Sequence, residues 1–392
     1  MNSLLVIPVH RPWQLPLEPL AAELVHFHGR LGWPATFVLM DSCRDPDDNA
    51  SRVAELRARV GPYARVLHVT RPRLVEFARA LDRDLAPWLE PCAAVNYGKV
   101  ANLIALVGAA LQADTLTRRD SDEHLVPREG EGWWFPLERD VELLRDGAWL
   151  GGTVHYGDCD SDVDLIYDTG GPELMAELGA LLGLPLDFAD PAVRQRLKHP
   201  APERMEDWSR VGPGQSVYPG LSTDRGLFRH LPVCPAEETP DVDNLPLAAA
   251  TAAGWPLAAH GRLLEHRHEA DRKGENRTYW LRLARAMDYN AVYAPVLAEV
   301  AAGAPDSPER LARVVQGAPR SADREARLET QERYACFLER LYPDSNLADE
   351  VRHGVAPTLA AVDAGARAHL DLLEDWPFLV ARAPDLAERL TG

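Results

Sequence analysis

Residues 96–122 read NYGKVANLIALVGAALQADTLTRRDSD, and this stretch decides the fold. Its first half, Lys99–Leu111, has helical spacing, and Thr115–Asp120 is a predicted strand that delivers Asp120-Ser121-Asp122. In an extended segment residues i and i+2 point the same way, so both carboxylates can face one ligand. Paired oxygen ligands of that kind suit Mg²⁺ or Mn²⁺, which bridge phosphate oxygens. With 60 Asp and Glu in 392 residues, an Asp-x-Asp arises readily by chance, so its place in the chain carries the weight.

Upstream, strand and helix patterns alternate. Leu4–Val9 (LLVIPV) is a short apolar run ended by His10-Arg11-Pro12, and Leu15–Leu31 follows with helical spacing closed by Gly32. Ala35–Met40 is a second predicted strand with Asp41 at its carboxyl end; helix 50–60, strand 64–70 and helix 74–85 follow. This rhythm predicts a mostly parallel sheet covered by helices, with ligands at the carboxyl ends of its strands. Asp41 and Asp120 both belong at that edge.

Downstream, Trp133–Asp146 is expected as a helix, Ala148–Tyr156 as a strand interrupted by Gly151-Gly152, and Asp164–Tyr167 as a short strand. Residues 200–240 are rich in Pro, Gly and Ser and suit a substrate loop. Leu247–Ala253 is expected as a helix and Arg262–His268 as a strand. Helices then follow at 279–288, 292–301, 308–316, 324–341 and 356–374.

Composition narrows the function classes. A formal net charge of −18 argues against a general nucleic-acid binder and against docking on anionic lipid. Leu4–Val9 follows Met1 without a basic leader, and no apolar run approaches the ~20 residues that span a bilayer, so a cytoplasmic protein is expected. The five cysteines are scattered without Cys-x-x-Cys spacing, which indicates neither a disulfide framework nor a zinc site.

In this order, residues 1–277 resemble a GT-A glycosyltransferase, a Rossmann-like α/β fold with a mostly parallel sheet flanked by helices. LLVIPVHRP is similar to the family's opening strand and the Pro-containing loop under the nucleotide, which brings Pro8 and His10 to the donor. Asp41 in LMDSC matches the acid that addresses the base or ribose. NYGKVANLIALVGAALQADTLTRRDSD looks like the family's basic-and-Asn helix followed by the DxD strand. Lys99 and Asn102 are then suited to the diphosphate or to bracing the DxD loop. The resemblance implies a donor half over about 1–125, an acceptor half over about 126–277 and a helical C-terminal region over 278–392.

It further implies a metal held by Asp120, Asp122 and one of His266 and His268, as Mn²⁺ or Mg²⁺, with Asp120 also touching the donor. Asp241 and Asp243 are placed like the family's acidic acceptor motif, as base if configuration inverts, with Glu237 and Glu238 close enough to contest the role. The implied partners are a nucleotide-sugar, a UDP-sugar first, and a small hydroxylated or amine-bearing acceptor, as in bacterial secondary metabolism. The C-terminal helices complete the acceptor cleft or form a homodimer face.

Several side chains carry weaker expectations. Arg118 or Arg119 could lie near phosphate, and Arg272, Lys273 and Arg277 could clamp the pyrophosphate. Asp158, Asp160, Asp162 and Asp164 fail as a calcium loop, having Val163 and Thr169 where Gly and Glu are needed, but could face a cationic acceptor. Trp133, Trp134, Trp208, Tyr218 and Trp255 could stack on sugar rings or simply pack. A nucleotidyltransferase needs a Gly-rich loop after the first strand, which VIPVHRPWQ lacks. The remaining alternative is a catalytically silent GT-A-like protein that binds nucleotide or a partner.

Overall fold

Three seven-residue runs form neighbouring parallel strands, β1 (Ser3–Val9), β2 (Ala35–Asp41) and β3 (Ala64–Thr70). The computed structural model describes residues 1–44, 46–91, 96–128, 130, 132–157, 163–182, 219–240, 242–267, 276–320 and 323–391. Successive side chains of a strand face opposite ways, and here both faces are covered. Leu5, Ile7, Val9, Phe37 and Leu39 pack against α1 (Leu17–Leu31) and α2 (Asp47–Val60). Leu4, Val6, Val38 and Met40 pack against α3 (Arg71–Leu81) and, beyond the short α4 (Ala86–Leu89), against α5 (Tyr97–Ala110). Burial on both faces explains why β1 and β2 read as apolar runs instead of alternating, while β3 at the sheet's edge keeps Arg65 exposed.

Strand β4 (Thr115–Arg118) lies parallel to β1, and its last residue opens the turn that holds the two aspartates. The chain then forms β5 (Glu123–Leu125), the hairpin β6 (Pro127–Arg128) and β7 (Gly132–Trp133), and helix α6 (Pro136–Arg145). Strand β8 (Leu150–Gly157) and helix α7 (Val163–Leu182) come next, followed by β9 (Pro219–Asp224), α8 (Leu245–Ala252) and β10 (Leu257–His266). The eight-stranded sheet has the order β3-β2-β1-β4-β9-β8-β10-β5. Only β9 and β5 run against the others. The expected α/β class, a mostly parallel sheet flanked by helices with a helical extension, is what the chain adopts.

The extension consists of α9 (Asn276–Gly303), α10 (Pro308–Gly317), α11 (Arg324–Leu341), α12 (Leu347–Arg382) and α13 (Ala387–Thr391). It does not pack as a separate bundle. Leu372, Trp376 and Leu379 of α12 join the core under β1 and α5, while Tyr289, Val292 and Val296 of α9 share a core with Leu150 and Leu227. Among the described residues no helix is long and apolar enough to cross a membrane.

Several expected elements differ. Trp133 belongs to the hairpin, and the helix starts at Pro136, whose fixed φ suits a first turn. Residues 164–167 are helical, because Leu174, Met175, Leu178 and Leu181 continue the apolar face past a break at Gly171 (φ 62°). Strand β9 lies inside the stretch expected to be irregular, and β10 starts five residues before the expected strand. The two expected helices over 279–301 are one, with Pro295 inside it, and α12 runs for 36 residues through Pro357 and Pro377. Tertiary packing here overrides the helix-breaking tendency of proline.

Candidate active site

Every parallel strand delivers its carboxyl end to one edge of the sheet, and Asp41, Asp120, Asp122 and His266 stand at that edge. Four residues, Arg119–Asp122, connect β4 to β5 and are anchored at both ends. Arg119 N–H donates to Val6 O of β1 (3.0 Å), and Asp122 O accepts from Arg267 N–H just beyond β10 (3.0 Å). Because β5 pairs antiparallel with the end of β10, His266 is brought opposite Glu123, next to the turn. Asp120, Asp122 and His266 thereby converge, with one ligating atom from each lying within 4.8 Å of the others.

Within this triad His266 Nε2 lies 3.1 Å from Asp122 Oδ1. Asp122 is nearly buried and has Arg11, from the loop after β1, at 3.9 Å from Oδ2. Asp120 is the open member, 44% exposed, and its backbone N–H donates to Glu123 Oε2 (3.0 Å). Desolvation at the foot of the turn pushes the Asp120 carboxyl above its ordinary range; Arg118 opposes this, and the Glu123, Asp122 and Asp243 carboxylates add to it. A concentration of carboxylates that Arg118 and Arg11 offset only in part is the electrostatic setting in which a divalent cation is favoured. The donor set is two carboxylates and one imidazole on a turn fixed at both ends. Such a set could hold a divalent cation.

Arg118 ends β4 and reaches two carboxylates at once. It donates to Asp120 Oδ1 at 3.3 Å and ion-pairs with Asp243 Oδ2, in a single turn at Val242–Asn244. Asp243 thus stands beside the triad. Asp241 and His268 lie outside the described residues, as do Arg272 and Lys273.

The other expected residues divide. Pro8 sits in β1 opposite Met40, and His10 is exposed on the loop that follows. Asp41 is fully buried: Oδ1 accepts from Cys43 N–H (2.9 Å), and Oδ2 lies at 3.0 Å from Asn49 Nδ2 and 2.8 Å from His68 Nε2. Burial alone would raise its pKa, but His68, Cys43 and Asn49 together hold it below the usual carboxylate range. Lys99 is buried, with Nζ 3.5 Å from Glu237 and over the face of Trp88. Asn102 is engaged by Val233, donating to its O at 2.8 Å and accepting from its N at 2.7 Å.

Three weaker expectations are narrowed. Arg119 is buried in a two-armed pair with Glu23 of α1 (2.6 and 3.0 Å), so of the two arginines only Arg118 faces the site. Arg277 is committed to Asn346 and Glu350 at the start of α12. Trp255 packs on Trp149 and donates its indole N–H to Pro305 O (2.6 Å), which makes it a core residue. Trp133 is half-buried on its hairpin, and Trp134 lies under Arg128. Trp208, Tyr218, Asp158, Asp160 and Asp162 are outside the described residues, as is the side chain of Asp164.

Sequence reading missed Arg11, Glu123 and His68. Arg11 and Glu123 had a usable signal: one directly follows the first strand, and the other is an acid three residues after Asp120, in reach of its N–H. His68 had none, because only the pairing of β2 with β3 brings it to Asp41.

No protein-family profile and no curated protein sequence matches the chain. Among solved structures, the crystal structure of S. aureus TarS residues 1–349 is similar with a TM-score of 0.36 and 9% identity, over 96% of this chain and 91% of that one. The functional reading therefore stands on the geometry of the sheet edge.

Proposed function

We propose that the chain is a metal-dependent glycosyltransferase that moves a sugar from a nucleoside diphosphate, UDP first, to a small hydroxylated or amine-bearing acceptor. The observation that carries this reading is the convergence of Asp120, Asp122 and His266 at the carboxyl edge of a mostly parallel sheet. That edge is where such folds bind nucleotides. Asp122 and His266 would hold the ion, with Asp120 completing the set from its open side. The bound ion would neutralise the charge that develops on the diphosphate as the glycosidic bond breaks.

The protein's own groups supply the rest. Arg118, paired with Asp120, and Arg11, 3.9 Å from Asp122, are guanidinium groups at the acidic triad, suited to meet phosphate oxygens in a planar, forked geometry. Asp243 is the carboxylate on the acceptor side, suited to orienting an acceptor hydroxyl or amine and to taking its proton in an inverting transfer. Its pairing with Arg118 ties the acceptor carboxylate to the donor turn.

The test is thermal stability in UDP, GDP and dTDP, each with and without Mn²⁺. Ligands that bind only the folded state raise its stability by RT ln(1 + [L]/Kd). A metal-dependent rise with one nucleotide is expected, followed by turnover of the matching nucleotide-sugar. No rise with any nucleotide, with or without metal, refutes the donor site.

A further inference from the structure

The segment between β9 and Asp243 has no regular secondary structure at Leu231–Ala236, yet all six residues are buried. A buried irregular chain must find partners for its backbone polar groups, and two helices supply them. From α5, the Asn102 amide takes both polar groups of Val233, and Asn96 Nδ2 donates to Pro235 O (3.3 Å) while its Oδ1 caps Lys99 N. From α12, His369 Nε2 lies 2.9 Å from Pro232 O. A carbonyl only accepts, so Nε2 carries the hydrogen. Nδ1 then accepts from the Tyr293 hydroxyl of α9 at 2.6 Å. His369 is fully buried, and burial, aided by the Arg320 cation, brings its pKa down to about 3, which keeps this neutral form.

Glycines close the grip from both sides. A Cβ at Gly98 of α5 would stand 2.0 Å from Cys234 O, and one at Gly365 of α12 would stand 2.6 Å from the Ala236 Cβ. The segment is thus a strap held at backbone contact between α5 and α12. Its exit is held too: Arg285 of α9 donates to Glu237 O (3.0 Å) and Glu238 Oε2 (2.9 Å). Asp243 follows five residues after Glu238.

We propose that His369 is a positioning residue for the acceptor side of the site: with Tyr293 behind it, it seats the strap at Pro232 and thereby fixes Asp243 against Arg118. The inference rests on the reading of Asp243 as the acceptor carboxylate. It gives the C-terminal helices a share in the site, 126 residues of sequence away from Asp243 (369 − 243).

The test uses the full chain with His369→Leu, which removes donor and acceptor, and His369→Gln, whose amide offers one of each. Seating is read as the rate of thiol labelling at Cys234, a fully buried strap residue, by peptide mass spectrometry. Donor binding is read as the UDP–Mn²⁺ thermal shift, and chemistry as hydrolysis of a panel of UDP-, GDP- and dTDP-hexoses. The Leu variant is expected to label Cys234 at least tenfold faster and to lose at least tenfold in kcat while keeping the nucleotide shift; the Gln variant is expected to restore both rates. Should the Leu variant fail to fold, Tyr293→Phe removes only the hydroxyl and is expected to move both rates in the same direction by a smaller factor. Unchanged Cys234 labelling or unchanged kcat in the variant that folds overturns the proposal, as does a parallel loss of nucleotide shift and kcat. Absence of any nucleotide shift in the unaltered chain instead overturns the transferase reading, and the labelling arm still decides the seating.

Discussion

Asp41 and Asp122 stand at the same edge of the sheet, one ending β2 and the other closing the turn after β4, and both are buried. Their surroundings differ in kind. Asp41 meets groups from its own neighbourhood, the Cys43 N–H, the Asn49 amide and the His68 ring, which satisfy both oxygens and pin β2 to α2 and β3. Asp122 meets a second carboxylate, an imidazole and an arginine, each from a different strand end, with Asp120 open to solvent beside it. A carboxylate whose partners are neutral or single donors is a structural tie. One whose neighbours include another acid keeps a reason to take up a cation.

The sharpest way to break this contrast is Asp122→Ala. The Mn²⁺-dependent nucleotide shift should vanish entirely while circular dichroism and the cooperative melt remain. A retained shift would remove Asp122 from the ligand set. Asp41→Ala should instead cost about 3 to 5 kcal/mol of stability, because it leaves buried partners unpaired. Denaturant unfolding measures that, and the surviving folded protein should still show the nucleotide shift. Loss of the shift at unchanged stability would mean that Asp41 addresses the donor after all.

The strap extends the contrast to pH. His369 has a folded pKa of about 3, below the ordinary value of 6.5, so the unfolded chain binds the extra proton. Its contribution is complete above 6.5 and is lost as pH falls from there toward 3, at about 1.4 kcal/mol per pH unit. Tyr293 bonds the ring and Cys234 lies beside Tyr293; burial pushes both of these groups up, away from that window, and Arg320 acts on the ring as a nearby cation. His369→Gln should lower the slope of unfolding free energy against pH by one proton, measured by urea titration between pH 4 and 6.5. The smallest expected effect is His266→Gln, which keeps a neutral ligand and should weaken Mn²⁺ binding by about tenfold, or about 1.4 kcal/mol. Calorimetric titration of the metal would detect it, and unchanged affinity would limit the site to its carboxylates.

How much of this was legible beforehand depends on distance along the chain. The strands β1 and β2 follow from local apolar runs and α1 and α2 from helical spacing, because each of these segments alone carries its burial pattern. The Asp-x-Asp was legible for the same reason, being a short motif after a strand. The partner His266 was narrowed to two histidines, and it took the register of β10 on β5 to bring it to the turn. Asn102 shows the limit: its polarity in an apolar helix signalled a task, and only packing revealed that the task is to hold Val233.

The sequence by itself determined the parallel sheet, the edge at which polar residues collect and the acids that end its strands, since these follow from residue periodicity and chain direction. Tertiary structure alone decided which of those acids are tied off and which stay open, because that depends on donors arriving from elements up to 144 residues apart. It also decided that the C-terminal helices grip the strap. Gly98 and Gly365 carry no pattern that announces a partner, and their meaning lies in the backbone that comes within contact distance of each.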